Sequence, residues 1–168
     1  MPPAGGIVFS VSAPHRRRPC ADIRGILPAQ PGITDDDLIV SIRAQYHFRD
    51  SPEGLLAWDV RRLVRLSQGL PVQAVPLVQI AELDTDHWYG HGVARPTVRS
   101  IAEHCQLIAS ASLAYPIILD SAGRVMDGMH RVCKALIEGH THIDAVQFAQ
   151  DPVPDHAGCE PDDLPYDD

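Results

Sequence analysis

An acid, a glycine, an imidazole and a guanidinium stand within five residues of this chain, in the segment Asp127-Gly128-Met129-His130-Arg131. The segment joins a predicted strand to a predicted helix, and ligand-binding groups are often placed at such junctions. The first N–H groups of a helix lack partners within the helix, and the helix dipole makes that end electropositive. Gly128 would let an anion approach the backbone, and His130 and Arg131 would add donors. The segment therefore predicts an anion site that suits a phosphate.

Three nearby side chains are candidates to complete this site. Lys134 lies one helical turn after His130 and can extend toward the same anion. Asp127 can hold a Mg²⁺ ion or accept a proton from a hydroxyl group. His104, at the polar edge of an earlier predicted helix, can reach the same cleft or simply pack there. A purely structural interpretation also stands, in which Asp127 is the N-cap of the helix and Arg131 is a surface contact.

An acidic segment before the strand-to-helix junction supplies two more carboxylates, Glu82 and Asp84. Phosphoryl transfer needs chiefly positioning and charge neutralisation, so Asp127, Glu82 or Asp84 would suffice as the base that takes the hydroxyl proton. The alternative is that both acids belong to a solvated loop. Trp88 and Tyr89 in the same segment can stack on a base or sugar, or can anchor the loop to the core.

The elements that must position these groups follow from apolar periodicity and from glycine and proline punctuation. Helix 97–110 is predicted to bury a stripe made of Val98, Ile101, Cys105 and Ile108. Together the elements indicate an α/β (α+β) fold with one small mixed sheet and packed helices. In chain order they are helix 55–68, strand 74–78, helix 97–110, strand 116–119, strand 124–126, helix 129–138 and strand 143–148.

Composition divides the chain into three parts. Residues 1–33 are rich in proline and glycine and are predicted to be a flexible leader. Residues 34–150 are predicted to form the domain. Residues 151–168 hold seven acids and no Lys or Arg, which indicates an acidic, proline-rich tail. Leu164 and Tyr166 in this tail are apolar enough to dock onto the domain.

Charge and hydropathy exclude several classes of protein. The net charge of −8 would repel a polyanion, so duplex DNA is not the expected partner. No apolar run approaches the ~20 residues that span a bilayer, and no signal-peptide pattern opens the chain, so the cytoplasm is the expected location. The four cysteines form no CxxC pair, which argues against a structural zinc site.

Residues 115–148 resemble the ParB/sulfiredoxin superfamily. Its members share a strand, a turn, a short strand, a G-x-[HR]-R box that opens a helix, and a further strand. The box in this chain is Gly128-Met129-His130-Arg131. The likeness covers roughly residues 72–150 and is greatest to small stand-alone bacterial ParB-like proteins.

The resemblance implies that the box cradles the phosphates of ATP, ADP or CTP. Sulfiredoxins carry a catalytic cysteine where this chain has Met129, so their thiolate chemistry is not expected. Partition proteins usually carry Glu-Arg-Arg where this chain has Met129-His130-Arg131, and they continue into a DNA-binding domain, so a CTP-gated DNA clamp is not expected either. A third branch phosphorylates free serine, which needs a phosphate box and an acid.

We therefore expect a nucleotide-binding protein that takes ATP, ADP or CTP with Mg²⁺ and transfers phosphate to a small hydroxyl compound. One alternative is a nucleotide-sensing or partner-binding module without catalysis. The other is a DNA-linked ParB-like nuclease or partition accessory.

Overall fold

The structure, a computed structural model, describes residues 21–22, 44–89 and 95–166. These residues form a mixed α/β fold with two small sheets and three α-helices. The helices are α1 (Val60–Ser67), α2 (Val98–Ser110) and α3 (Met129–Ile137). The strands are β1 (Ala21–Asp22), β2 (Tyr46–Ser51), β3 (Gly54–Asp59), β4 (Gln73–Pro76), β5 (Ile117–Leu119), β6 (Val125–Asp127), β7 (His142–Gln147) and β8 (His156–Ala157).

One sheet carries the predicted site. Its strand order is β4-β7-β5-β6, with β5 parallel to β7 and the other neighbours antiparallel. All three residues of β5 are buried, which confirms the prediction of a central apolar strand there. Helix α3 packs on this sheet through Val132 and Ala135, which are 0% and 1% exposed. The turn between β6 and α3 is therefore fixed at one end by the sheet and at the other by a helix that packs on the sheet.

The other sheet is antiparallel throughout, with strand order β1-β8-β3-β2. The predicted tail supplies β8, and Leu164 is buried at 6% exposure, so its predicted docking is confirmed. Tyr166 is 45% exposed, although its ring meets that of Tyr46 edge-on at 5.5 Å. The tail is therefore part of a sheet and of a core cluster.

The single helix predicted over 55–68 is wrong in its first half. Residues 54–59 form β3, which pairs along its whole length with β2. Asp59 then starts α1, because its carboxylate accepts a hydrogen bond from the backbone N–H of Arg61 at 2.8 Å. Leu56 and Val60 carry apolar side chains at helical spacing by coincidence, since one lies in the strand and the other in the helix. The one predicted sheet is accordingly two.

The predicted buried stripe of α2 is also wrong. Val98 is 88% exposed and Ile101 is 46% exposed, and none of the thirteen residues of α2, all of which the structure describes, is fully buried. The helix packs on α3 with a different side, which carries Ser100 and His104. Ser100 and His104 make polar contacts on this face, whereas Val98, Ile101 and Cys105 of the predicted stripe are exposed and Ile108 is half-buried.

The cysteines that the structure describes differ in burial and in bonding state. Cys159 is buried and disulfide-bonded. Cys105 and Cys133 are free, and Cys105 is exposed rather than packed as its apolar neighbours suggested. Within the described part of the chain, no helix is long and apolar enough to cross a membrane.

Candidate functional site

The turn between β6 and α3 is built around a glycine that has no substitute. Gly128 adopts φ +103° and is the N-cap of α3 without a side-chain cap. A Cβ at this position would lie 2.7 Å from Ile117 Cγ2 and 2.7 Å from Arg131 Nη2. Conformation and space therefore both require glycine here. The structural interpretation that made Asp127 the N-cap is wrong, because that position belongs to Gly128.

Asp127 instead forms an ion pair with Arg131. Asp127 Oδ2 lies 2.7 Å from Arg131 Nη2, and both side chains are about four-fifths buried. Arg131 Nη1 also donates to the carbonyl of Tyr115 at 3.5 Å. The carboxylate neutralises the guanidinium, so the backbone N–H groups at the start of α3 contribute most of the remaining positive potential.

A metal ion at Asp127 would need ligands from a bound phosphate as well as from the protein. In the described residues, no group of three or more His, Cys, Asp or Glu side chains could hold a metal ion. Mg²⁺ commonly uses one or two carboxylates together with substrate phosphates and water. A Mg²⁺ ion at Asp127 would therefore arrive with a phosphate ligand and would share the carboxylate with Arg131.

Two histidines meet beside the start of α3. His104 Nδ1 lies 3.0 Å from His130 Nε2, and the two rings lie side by side, with 5.3 Å between their centroids and 24° between their planes. Burial lowers the pKa of His104 below its ordinary value, although Glu103 acts in the opposite direction. A hydrogen bond between two imidazoles needs one ring to donate and the other to accept, so at least one of the two is neutral. Such a pair can pass a proton from one ring to the other.

The Trp88 ring covers both imidazoles. That face of the ring therefore cannot also stack on a base or sugar, which was one of its two predicted roles. The Trp88 ring stacks on His104 at 4.2 Å and on His130 at 5.1 Å between centroids. The neighbouring Tyr89 hydroxyl lies 2.9 Å from Ser100 Oγ on α2. The alternative in which this segment is anchored to the domain is therefore confirmed. Contact with the Trp88 ring restricts the orientation of both histidine rings.

The two predicted acids before α2 have different surroundings. Glu82 Oε1 accepts a hydrogen bond from the backbone N–H of Val125 at 2.9 Å, on the free edge of β6. Glu82 Oε2 is buried and has no hydrogen-bond partner among the described residues. Asp84 is exposed, and no described contact links it to the turn. Glu82 is thus held two residues from Asp127 along the strand edge, and Asp84 is not.

Two predicted phosphate-binding residues are directed elsewhere. Lys134 Nζ donates to the carbonyls of Ala109 and Ala111, at 3.0 and 2.6 Å, and so caps the C-terminal end of α2. Met129 is buried at 7% exposure in the core beneath α3. Only the backbone N–H group of Met129 remains near the helix start. Gly128, His130, Arg131 and His104 are the predicted residues that come together.

Sequence reasoning missed a buried charge network that joins the two sheets. Asp120, fully buried after β5, accepts hydrogen bonds from two backbone N–H groups of its own turn, at 2.9 and 2.7 Å. Arg124 Nε donates a hydrogen bond to Asp120 Oδ2 at 2.7 Å. Arg49 Nη2, on β2, lies 2.8 Å from the same oxygen, but the angle is unsuitable for a hydrogen bond, so this contact is an ion pair only. Arg49 also binds Asp151 at 3.1 Å. A long-range pair of this kind leaves no local signal in the sequence.

His47 on β2 lies beside this network and gives stability a pH dependence. Burial, with contributions from Arg49 and His87, lowers the pKa of His47 from 6.5 to about 3. The folded protein keeps this ring neutral, whereas the unfolded chain binds a proton below about pH 6.5. His47 therefore stabilises the fold above that pH, and this contribution is lost as pH falls toward 3.

We expect the free energy of unfolding to fall by about 2 kcal/mol through His47 when pH drops from about 7 to about 5. His47→Gln should remove most of this slope, because glutamine does not titrate. Urea unfolding at both pH values measures it. His140→Gln is the control for replacing a histidine with glutamine at an exposed position. An equal slope in wild type and His47→Gln would contradict the assignment.

Comparison with known proteins identifies no relative of this chain. No protein-family model matches the chain, and neither curated proteins nor solved structures give a match. The fold and the site define a mixed α/β protein with a glycine-capped helix start beside a histidine pair. Assignment to the ParB/sulfiredoxin superfamily stays a prediction.

Proposed function

We propose that this protein binds the phosphates of a nucleotide at the start of α3, in the manner of a small ParB-like protein. The observation that carries the proposal is the His104–His130 pair, joined at 3.0 Å, beside a helix start that only glycine can form. A helix start offers backbone donors and a positive dipole, and protonation of an adjacent imidazole adds charge when an anion arrives.

The ion pair of Asp127 and Arg131 fits the same role. A guanidinium presents five donors, and the contact with Asp127 uses only part of them. A phosphate can therefore accept from Arg131 while Asp127 holds the side chain in position. ATP, ADP or CTP with Mg²⁺ is the expected ligand class, with Mg²⁺ held between Asp127 and the phosphates.

A kinase activity extends this proposal. A hydroxyl oxygen of a small compound would attack the terminal phosphorus of the nucleotide, its proton would pass to a base, and the nucleotide shortened by one phosphate would leave. Asp127 and Glu82 both lie at β6, and the buried Oε2 of Glu82 is an acceptor in need of a proton or a donor. These two acids are better placed for the base than the exposed Asp84.

A thermal-shift panel of ATP, ADP, CTP and GTP with Mg²⁺ tests the binding. A ligand at about 100 times its Kd adds about 2.7 kcal/mol, which raises Tm by several degrees. Each variant is compared with its own ligand-free Tm. Arg131→Ala should lose the shift, and Arg65→Ala, at an exposed arginine of α1, should keep it. Absence of a shift for wild type with every nucleotide would sink the proposal.

A non-catalytic module is the second candidate, and the closed Asp127–Arg131 pair favours it. Asp127 Oδ2 already accepts a hydrogen bond from Arg131 Nη2 at 2.7 Å, so that contact must open before a hydroxyl group can donate in its place. This candidate predicts a thermal shift without consumption of ATP in the presence of small hydroxyl compounds. A DNA-linked accessory is opposed by the net charge of −8.

A further inference from the structure

The apolar stripe of α2 faces solvent. Its residues recur every three or four positions, as in a helix that packs lengthwise on another helix. This exposed stripe differs from the one predicted from the sequence, because it consists of Val98, Ala102, Cys105 and Ala109, all exposed, with Ile101 at its edge. An open groove of about 500 Å³ runs beside Val98 and Ala102. Contiguous exposed apolar surface rimmed by polar residues is a feature of interaction sites.

The two charged residues beside this stripe, Arg99 and Glu103, could pair with those of a second copy of α2. Arg99 and Glu103 lie one turn apart on the same flank and line the same groove. Neither forms an ion pair with any residue that the structure describes. If a second α2 ran antiparallel across the first near Ala102, each Arg99 would face Glu103 of the partner subunit. Each helix therefore contributes one residue to each of two equivalent ion pairs.

The apolar residues fit the same two-fold arrangement. The axis that pairs Arg99 with Glu103 passes at Ile101, so it sets Val98 within one residue of Cys105 of the partner subunit and brings Ala102 and Ile101 next to their own equivalents. Alanine at the crossing allows the two helices to approach closely. Charge and shape thus select the same register.

We propose that a second copy of this chain covers the exposed face of α2, giving a dimer with an antiparallel α2–α2 contact centred on Ile101 and Ala102. One pair of short helices buries less surface than a standard interface. The dimer is therefore concentration-dependent, with a dissociation constant in the micromolar range. This inference does not depend on the nucleotide proposal, because it uses the face of α2 opposite His104.

Sedimentation equilibrium over a concentration series, at about 0.15 M salt, tests the dimer. Wild type should associate in the micromolar range, and Ala102→Glu should be monomeric. Val78→Glu is the control, because Val78 is 94% exposed and lies off α2, so this variant should associate like wild type. A wild type that stays monomeric at high micromolar concentration, or an Ala102→Glu variant that still dimerises, overturns the proposal.

Charge reversal tests the register. Arg99→Glu and Glu103→Arg should each weaken association roughly fivefold or more, since each turns two attractive contacts into repulsive ones. The double variant should restore it. Loss without restoration would mean that the pairing is wrong.

Disulfide trapping tests the crossing point directly. In a Cys105→Ser background, Ala102→Cys should give a disulfide-linked dimer on mild oxidation, because the two positions lie next to the axis. Ser110→Cys in the same background should not, since its two copies would lie roughly 25 Å apart along the helices. Equal trapping at both positions would contradict the antiparallel arrangement.

Discussion

Gly128→Ala is expected to lower the free energy of unfolding by about 3 kcal/mol and to abolish any ligand binding at the start of α3. Two effects add. An L-residue at φ +103° is strained, and the new Cβ would meet Ile117 Cγ2 at 2.7 Å. Ile117 is 0% exposed on the central strand, so it has no room to move aside. The methyl group must displace either the strand or the helix start.

Gly69→Ala is the matched control for this change. Gly69 also has positive φ, +79°, but a Cβ there meets nothing within 4 Å. Its loss should be about 1 kcal/mol, the conformational part alone. Urea unfolding of both variants separates strain from collision. Equal losses at the two glycines would show that contact with Ile117 contributes nothing.

Asp120→Ala is expected to lower the free energy of unfolding by about 3–5 kcal/mol. The change leaves the Arg49 guanidinium with less negative charge near it, and it leaves two backbone N–H groups without acceptors. The cost is large because Asp120 is 0% exposed and water cannot replace the carboxylate without a rearrangement.

Asp120→Asn separates the two parts of this effect. Its amide oxygen can still accept from the backbone N–H groups of Ala122 and Arg124 but carries no charge for Arg49. The loss should therefore be smaller than that of Asp120→Ala. Asp144→Ala, at an exposed position of β7, should change stability by less than about 0.5 kcal/mol. Chemical denaturation of the three variants gives the comparison, and a loss at Asp144 equal to that at Asp120 would contradict the buried network.

The elements nearest the site were predictable because their signals are local. The apolar run of β5, the glycine at the start of α3 and Gly139 after its end lie within about one turn of what they determine. Strands β2 and β3 were missed for the opposite reason. Their turn, Ser51-Pro52-Glu53-Gly54, contains the proline and glycine typical of a turn, but the helical spacing of Leu56 and Val60 favoured a helix across the following strand.

Pairs of residues far apart in sequence explain the remaining errors. The apolar periodicity of α2 was real, but Ser100 and His104 decide which side of the helix faces the domain. Their partners are Tyr89 and His130, and no local pattern reveals either. The same holds for Arg49 and Asp120. Composition marks such residues as polar, and only the fold shows that they meet.

The position of β8 has a consequence for synthesis on the ribosome. Strand β8 lies between β1 and β3, and its residues follow those of β1 by more than 130 positions. The ladder that links β1 to β3 therefore stays open until β8 has left the exit tunnel. This sheet closes by joining strands that are distant in sequence, which is a slow kind of contact to form. Until then the edge of β3 that β8 later covers is accessible to other chains.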